Sequence, residues 1–393
     1  MYQSADSQSF DSSNYYYVVG NRRTYNKSLA IAWANGNHDL ISLYWMDEVW
    51  ENIDLTQRPT RSFQELMKER CLQLRNKANI LSLNLSGGYD SYTILHTFAA
   101  NNILLDEINV WARSFTNYAP GEPEWQSAFV IANLFKNTIY PNLKINKIDI
   151  DIDYCGKTFQ TLGENWILDA NWSCIDFVSQ ARLQQLNFFD SKILTKYQNI
   201  VKYITIDGFD KPKLWIENGN WYLTNASGSL DNNMNSSDED FYISRDLIEL
   251  HVAQAWMMID WLESFPFQTE KELHTCLHAT QSFNLGDAHN ASWNIAIGRC
   301  PRDGAHYSLE RSRKKSTNGQ YSVQHKYIEN KYPYILDSSD WKTWKNVLNA
   351  FIKTYPDMFM FDGSGKQVFA KKHFMKPVEP GRLNKKVILE QSL

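Results

Sequence analysis

The chain has 393 residues, more than one ordinary domain, with 43% hydrophobic and 21% charged residues; that balance excludes a disordered polymer and predicts folded domains. A formal net charge of -4 supplies no overall attraction to nucleic acid or anionic membrane. The cysteines Cys71, Cys155, Cys174, Cys276 and Cys300 are scattered and odd in number, which argues against a disulfide framework and a four-cysteine zinc site.

The opening stretch from Met1 to Tyr17 is polar and lacks the basic-then-apolar layout of a signal peptide. No apolar run approaches the roughly 20 residues needed to span a bilayer, so the cytoplasm is the expected location. Short alternating pieces around Leu29–Trp33 and Leu40–Tyr44 predict a small N-terminal unit with strands over residues 1–60. From Ser62 to Arg75 the apolar residues Phe63, Leu66, Met67, Cys71 and Leu74 recur at helical spacing behind Ser62, a suitable N-cap.

A strand-and-helix alternation follows. Ile80–Leu85 reads as a strand, Tyr92–Ala100 as a helix, Ile108–Phe115 as a strand, Glu122–Phe135 as a helix and Ile145–Ile152 as a strand. A helical region at about 170–197 leads to a fourth strand, Ile200–Ile206. This order predicts an α/β fold, an open parallel sheet with helices on both faces. Ligands bind such sheets beyond the carboxyl ends of the strands, which is where Ser86 and Asp207 fall. Residues 217–240, rich in Asn, Gly, Ser and Asp, predict an exposed loop or hairpin tip, and Asp246–Glu263 an amphipathic helix. The resulting division is an N-terminal unit to residue 60, a central domain over 61–265 and a mixed, helix-containing C-terminal region over 266–393. From Arg299 to the end, 18 Lys and Arg face 9 Asp and Glu.

The string Ser86-Gly87-Gly88-Tyr89-Asp90-Ser91 lies between strand and helix. Two glycines let backbone amides turn toward an anion, the two hydroxyls can donate to phosphate oxygens, and the helix adds its positive end. Asp90 suits such a place when Mg²⁺ accompanies the phosphates, since Mg²⁺ takes one or two carboxylates plus phosphate oxygens. The spacing is not that of a Walker loop, and Gly363-Ser364-Gly365-Lys366 also fails that pattern.

The string resembles the hallmark of the PP-loop ATP pyrophosphatases, Ser-Gly-Gly-X-Asp-Ser after the first strand. Within them it is most similar to the synthetase domain of asparagine synthetases and β-lactam synthetases. Two further stretches carry the likeness, Glu122–Asp151 and Tyr203–Pro212, the latter with Asp207-Gly208-Phe209-Asp210 after a strand. The resemblance covers about residues 62–262. It implies a HUP-type sheet binding ATP, with the adenine edge at Ala112, Arg113 and Ser114. It also implies pyrophosphate on Ser86, Gly87, Gly88, Asp90 and Ser91, with Leu85, Tyr89, Asp207 and Gly208 as further nucleotide-binding positions. Mg²⁺ would lie between Asp90 and Asp210, with Asp90 and Lys211 as the catalytic pair. The implied chemistry is attack of a substrate oxygen on the α-phosphate, giving an adenylate and pyrophosphate, then displacement of AMP by an amine.

Departures narrow the expectation. Tyr2 stands where glutamine-using relatives expose a cysteine, and 60 residues are too few for a glutaminase domain. Lys211 replaces an acidic residue often found in the family's second loop. The paired cysteines of sulfur-transferring relatives are missing. The expected partner is therefore a small-molecule acceptor. A base-modifying enzyme docking nucleic acid on its basic C-terminal region, through the Arg311–Lys315 cluster near Tyr307 and Tyr321, is the alternative. A nucleotide-binding protein without turnover is a third reading. His274 and His278 around Cys276, and His289, lack the further ligands that a zinc site needs.

Overall fold

The computed structural model describes residues 15–24, 27–112, 124–149, 202–208, 212–224, 238–263 and 372–378, with 350, 353 and 354. At the N-terminal end, β1 (Tyr15–Val19), β2 (Arg22–Thr24) and β3 (Ile41–Trp45) form an antiparallel sheet in the order β2-β1-β3. Two short helices, α1 (Lys27–Trp33) and α2 (Asp47–Trp50), accompany it.

Helix α3 (Phe63–Lys77) begins where its cap demands. The Ser62 hydroxyl accepts from Glu65 N at 3.2 Å, and Glu65 Oε2 accepts from Ser62 N at 2.7 Å. This reciprocal box satisfies two otherwise orphaned amides, and such a cap is worth about 1 kcal/mol.

The central sheet is built from β4 (Ile80–Asn84), β5 (Glu107–Ala112), β6 (Lys144–Asp149), β7 (Tyr203–Asp207) and β10 (Asp238–Asp240). Its spatial order is β10-β7-β4-β5-β6, and every pairing is parallel. Helix α4 (Tyr89–Ala100) connects β4 to β5, and α5 (Glu124–Thr138) connects β5 to β6. Parallel neighbours require such crossovers. The chain moves outward from β4 through β5 to β6, then returns to place β7 on the other side of β4. Strand order reverses there, so the β4 and β7 ends flank a topological switch point.

Strand alternation gives the sheet two unlike faces. Leu81, Leu83, Leu85, Ile108, Val110, Ile204 and Ile206 join one core with side chains of α3, α4, α5 and α6 (Ile248–Glu263). In register on the opposite face stand Ser82, Asn84, Glu107, Asn109, Thr205, Asp207 and Asp240, all buried. Buried polar groups need partners. Accordingly, Asn146 Nδ2 donates to Asn109 Oδ1 at 2.9 Å and to Glu107 Oε2 at 3.0 Å, and Lys144 Nζ lies 2.7 Å from Glu107 Oε1. The expected α/β parallel sheet with helices is present, and among the described residues α3, α4, α5 and α6 share one core with the apolar face of the sheet.

At the start of the 217–240 stretch the hairpin of the expected loop-or-hairpin reading is present. Strands β8 (Lys213–Glu217) and β9 (Asn220–Thr224) form a hairpin whose turn residues Asn218 and Gly219 have φ of 50° and 70°. Asn-Gly is the preferred pair for this turn because both positions need positive φ. Trp221 and Leu223 are fully buried, with Trp221 Nε1 donating to Glu263 at 2.9 Å. Strand β11 (Lys372–Pro377) pairs antiparallel with β9 to complete a three-stranded sheet. Asp238–Asp240, the far end of the same stretch, is an edge strand of the central sheet.

Several contacts cross the boundaries drawn from sequence. Arg245 pairs with Glu48 and Arg58 with Asp260. The rings of Trp45 and Trp50 pack against His251 of α6 and His373 of β11. No described helix is long and apolar enough to cross a membrane.

Candidate functional site

Strand β4 ends at Asn84 and α4 begins at Tyr89, so the Ser86–Ser91 string forms a tight strand-to-helix turn at the switch point. Gly87 takes φ +83°, a left-handed conformation that costs glycine nothing. The two serines hold the turn closed. Ser86 N donates to Ser91 Oγ at 3.1 Å, the two hydroxyls are 3.1 Å apart, and Gly88 N donates to Ser86 Oγ at 3.2 Å. Ser86 is exposed while Ser91 is buried. The result is a hydroxyl at the surface, braced from below, over the N-terminal end of a twelve-residue helix. The first-turn amides of a helix have no intrahelical acceptor and carry its positive end, which favours an anion. The donor set fits phosphate. Asp90, half-buried in the first turn of α4, would offer a carboxylate to a phosphate-bound Mg²⁺. Among the described residues no three His, Cys, Asp or Glu side chains converge on a metal position.

The β7 end meets this turn closely. A Cβ placed on Gly208 would lie 3.2 Å from Ser91 N, 3.3 Å from Ile94 Cδ1 and 3.4 Å from Asp90 Cβ. A side chain at this position would need the two loops to part by a few tenths of an ångström. Asp207 is the last residue of β7 rather than the first beyond it, and it is buried. Its Oδ1 accepts from Asn84 Nδ2 at 3.0 Å, and Asn84 Oδ1 accepts from Trp111 Nε1 at 3.1 Å. From the core side, the Tyr242 hydroxyl donates to Asp90 O at 2.8 Å. Burial, helped by the Asp90 charge, holds the Tyr242 phenol well above its ordinary pKa, so it remains a donor.

The structure therefore brings Ser86, Gly87, Gly88, Asp90, Ser91, Asp207 and Gly208 together. Leu85 differs from expectation: its side chain lies in the core, and its amide donates to Asn109 O at 2.9 Å, so only its backbone borders the site. Tyr89 contributes the first backbone position of α4, and Ala112 ends β5 one strand away. Arg113, Ser114, Asp210 and Lys211 lie outside the described residues, as do the helical region at 170–197, the His274–His278 pair, His289, Arg311–Lys315 and Gly363–Lys366.

Asn84, Trp111 and Tyr242 were not singled out from the sequence. The signal for Asn84 and Trp111 was present in the alternation of β4 and β5, which sets them on the same face as Asp207. Tyr242 follows an acidic triplet and carries no sequence mark of its role. No protein-family model matches the chain, and no curated protein matches it.

Proposed function

We propose that the chain is an ATP-dependent adenylating enzyme that splits ATP between the α and β phosphates, in the manner of asparagine-synthetase-like PP-loop ligases with a HUP-type sheet and without a glutaminase. The observation that carries the reading is the closed serine-glycine turn at the switch point, with Asp207-Gly208 packed against it. Ser86, Ser91 and the α4 amides would bind and orient the β and γ phosphates. Mg²⁺, held by Asp90 with Asp210 as the second carboxylate of the resemblance, would neutralise phosphate charge. The β5 end at Ala112, with Arg113 and Ser114, would border the adenine, and Lys211 would face the charge that develops on the phosphate. Catalysis of this kind is positioning and charge stabilisation.

The acceptor is a small molecule whose carboxylate or carbonyl oxygen attacks the α-phosphorus; the bond to the β-phosphate oxygen breaks, and pyrophosphate leaves with that electron pair. The excess of positive charge over 299–393 favours one other reading, in which the acceptor is a base of a docked RNA or DNA.

The test is incubation with ATP, Mg²⁺ and pooled carboxylate and amine metabolites, followed by quantitation of nucleotides. The expected products are AMP and pyrophosphate, with Asp90→Ala reducing both to background. Formation of ADP and phosphate would refute the mechanism.

A further inference from the structure

We infer that Asn84 and Trp111 are positioning residues that fix the Asp207 carboxylate at the edge of the nucleotide site, an inference that rests on the reading of the Ser86–Ser91 turn as an ATP site. Three adjacent strand ends supply the three groups: Trp111 from β5, Asn84 from β4 and Asp207 from β7. The carboxamide is held at both ends. Trp111 Nε1 is a donor only, so it claims the Asn84 oxygen and turns the Asn84 NH₂ toward Asp207. The flipped amide would set oxygen against oxygen at Asp207 and nitrogen against the indole N–H, so the two bonds fix one orientation together.

The consequence is geometric. Asp207 and Asn84 are both about 95% buried, at 5% exposure each, where a directed hydrogen bond to a charge is stronger than in water. The residue after Asp207 is Gly208, which lies against Ser91 N and the Asp90 Cβ. Holding the Asp207 side chain therefore holds Gly208 in register with the phosphate turn. Asn84 is two residues before Ser86 on the same strand, so one strand end anchors both loops. The acceptor chemistry demands this, because a displacement near 1 Å of a group beside the reacting centre can cost about a hundredfold in rate.

The test compares five variants for thermal stability and for AMP formation. Asn84→Asp keeps an acceptor for Trp111 but sets two buried carboxylates against each other. It is expected to lose at least about 5 °C of Tm and nearly all turnover. The swap Asn84→Asp with Asp207→Asn restores one donor and one acceptor, so Tm returns, but the charge now sits on β4 and turnover stays at background. Trp111→Phe is expected to lower kcat about threefold to tenfold with KM for ATP nearly constant, and to add nothing once Asn84→Ala is present, the signature of one chain.

Wild-type Tm in Asn84→Asp would overturn the inference, and so would a swap that recovers turnover together with Tm, since Asn84 would then serve the fold alone. If the wild-type chain itself forms no AMP, the ATP reading fails. The loss and recovery of Tm across Asn84→Asp and the swap then still decide whether Asn84 holds Asp207.

Discussion

Gly208→Ala isolates the contact on which the candidate site depends. The added Cβ would stand 3.2 Å from Ser91 N, 3.3 Å from Ile94 Cδ1 and 3.4 Å from Asp90 Cβ, against about 3.5–4.0 Å for carbon atoms at their best separation. Ile94 Cδ1 can rotate away. Ser91 N and Asp90 Cβ cannot, because both belong to the first turn of α4, and Tyr242 braces that turn through Asp90 O. Relief must come from retreat of the β7 loop by a few tenths of an ångström. Overpacking of this kind costs about 1–3 kcal/mol, or roughly 2–4 °C of Tm per kcal/mol in a domain of ordinary size. The same retreat separates Asp207 from the Ser86–Ser91 turn, so on the proposed ATP reading any stabilisation by ATP and Mg²⁺ should shrink as well. Gly219→Ala is the control. Its Cβ would meet nothing within 4 Å, but its φ of +70° strains any side chain, so it should lower Tm and leave the ATP-induced shift intact. Thermal melts with and without ATP and Mg²⁺ measure both effects. A Gly208→Ala protein with wild-type Tm and a wild-type ATP shift would refute the argument.

Two further outcomes concern stability. Burial among Trp45, Trp50 and α6 pushes the His251 pKa from 6.5 down to about 3. The unfolded chain therefore binds a proton that the folded one refuses, and stability falls as pH drops from 6.5 toward 3, by up to about 1.4 kcal/mol per unit. Glu48, Glu65 and Asp246, whose pKa values are lowered from 4.5, 4.5 and 3.8, act only in the acid part of that window. His251→Phe should thus flatten the urea-midpoint profile between pH 6.5 and 5; an unchanged slope would exclude His251 as its source. Arg70→Ala would leave Glu239 and the Asp240 and Phe241 carbonyls without their guanidinium partner. Removing one member of a buried pair costs about 3–5 kcal/mol. The low end applies because Glu239 keeps 28% of its side chain exposed, and chemical denaturation would register it.

The parts of the fold that the sequence made legible are those where local chemistry and tertiary packing agree. Ser62 and Glu65 announce α3, and the Ser-Gly-Gly string marks the sharp turn from β4 into α4. The start of the stretch 217–240 was legible as a hairpin tip from its Asn-Gly pair, while the strand that follows is decided by two buried residues, Trp221 and Leu223. The acidic triplet Asp238-Glu239-Asp240 has poor strand propensity and is held in the sheet by a distant residue. Arg70 lies on the buried face of α3 between Met67 and Cys71. A cation at a core position of a helical pattern asks for an anion elsewhere in the chain, but spacing alone does not say which.

The alternation of the central strands argues the remaining point. Parallel sheets covered on both faces usually read as continuous apolar runs, whereas Leu81-Ser82-Leu83-Asn84, Ile108-Asn109-Val110 and Ile204-Thr205-Ile206-Asp207 alternate. Read one strand at a time, this looks like a half-exposed antiparallel sheet. Aligned by the observed register, with Asn84 opposite Asn109 and Asp207 opposite Asp240, the polar positions fall on one buried face. Such a face is costly unless its groups are paired, and here the pairing runs between strands, from Lys144 through Glu107 to Asn146 and from Trp111 through Asn84 to Asp207. A slip of one residue in any strand would place its polar groups in the core and break the chain of bonds. The polar face therefore fixes the register of the strands, and the register fixes how closely the β4 and β7 loops meet. The geometry of the Ser86–Ser91 turn is set from this buried layer as much as from its own glycines.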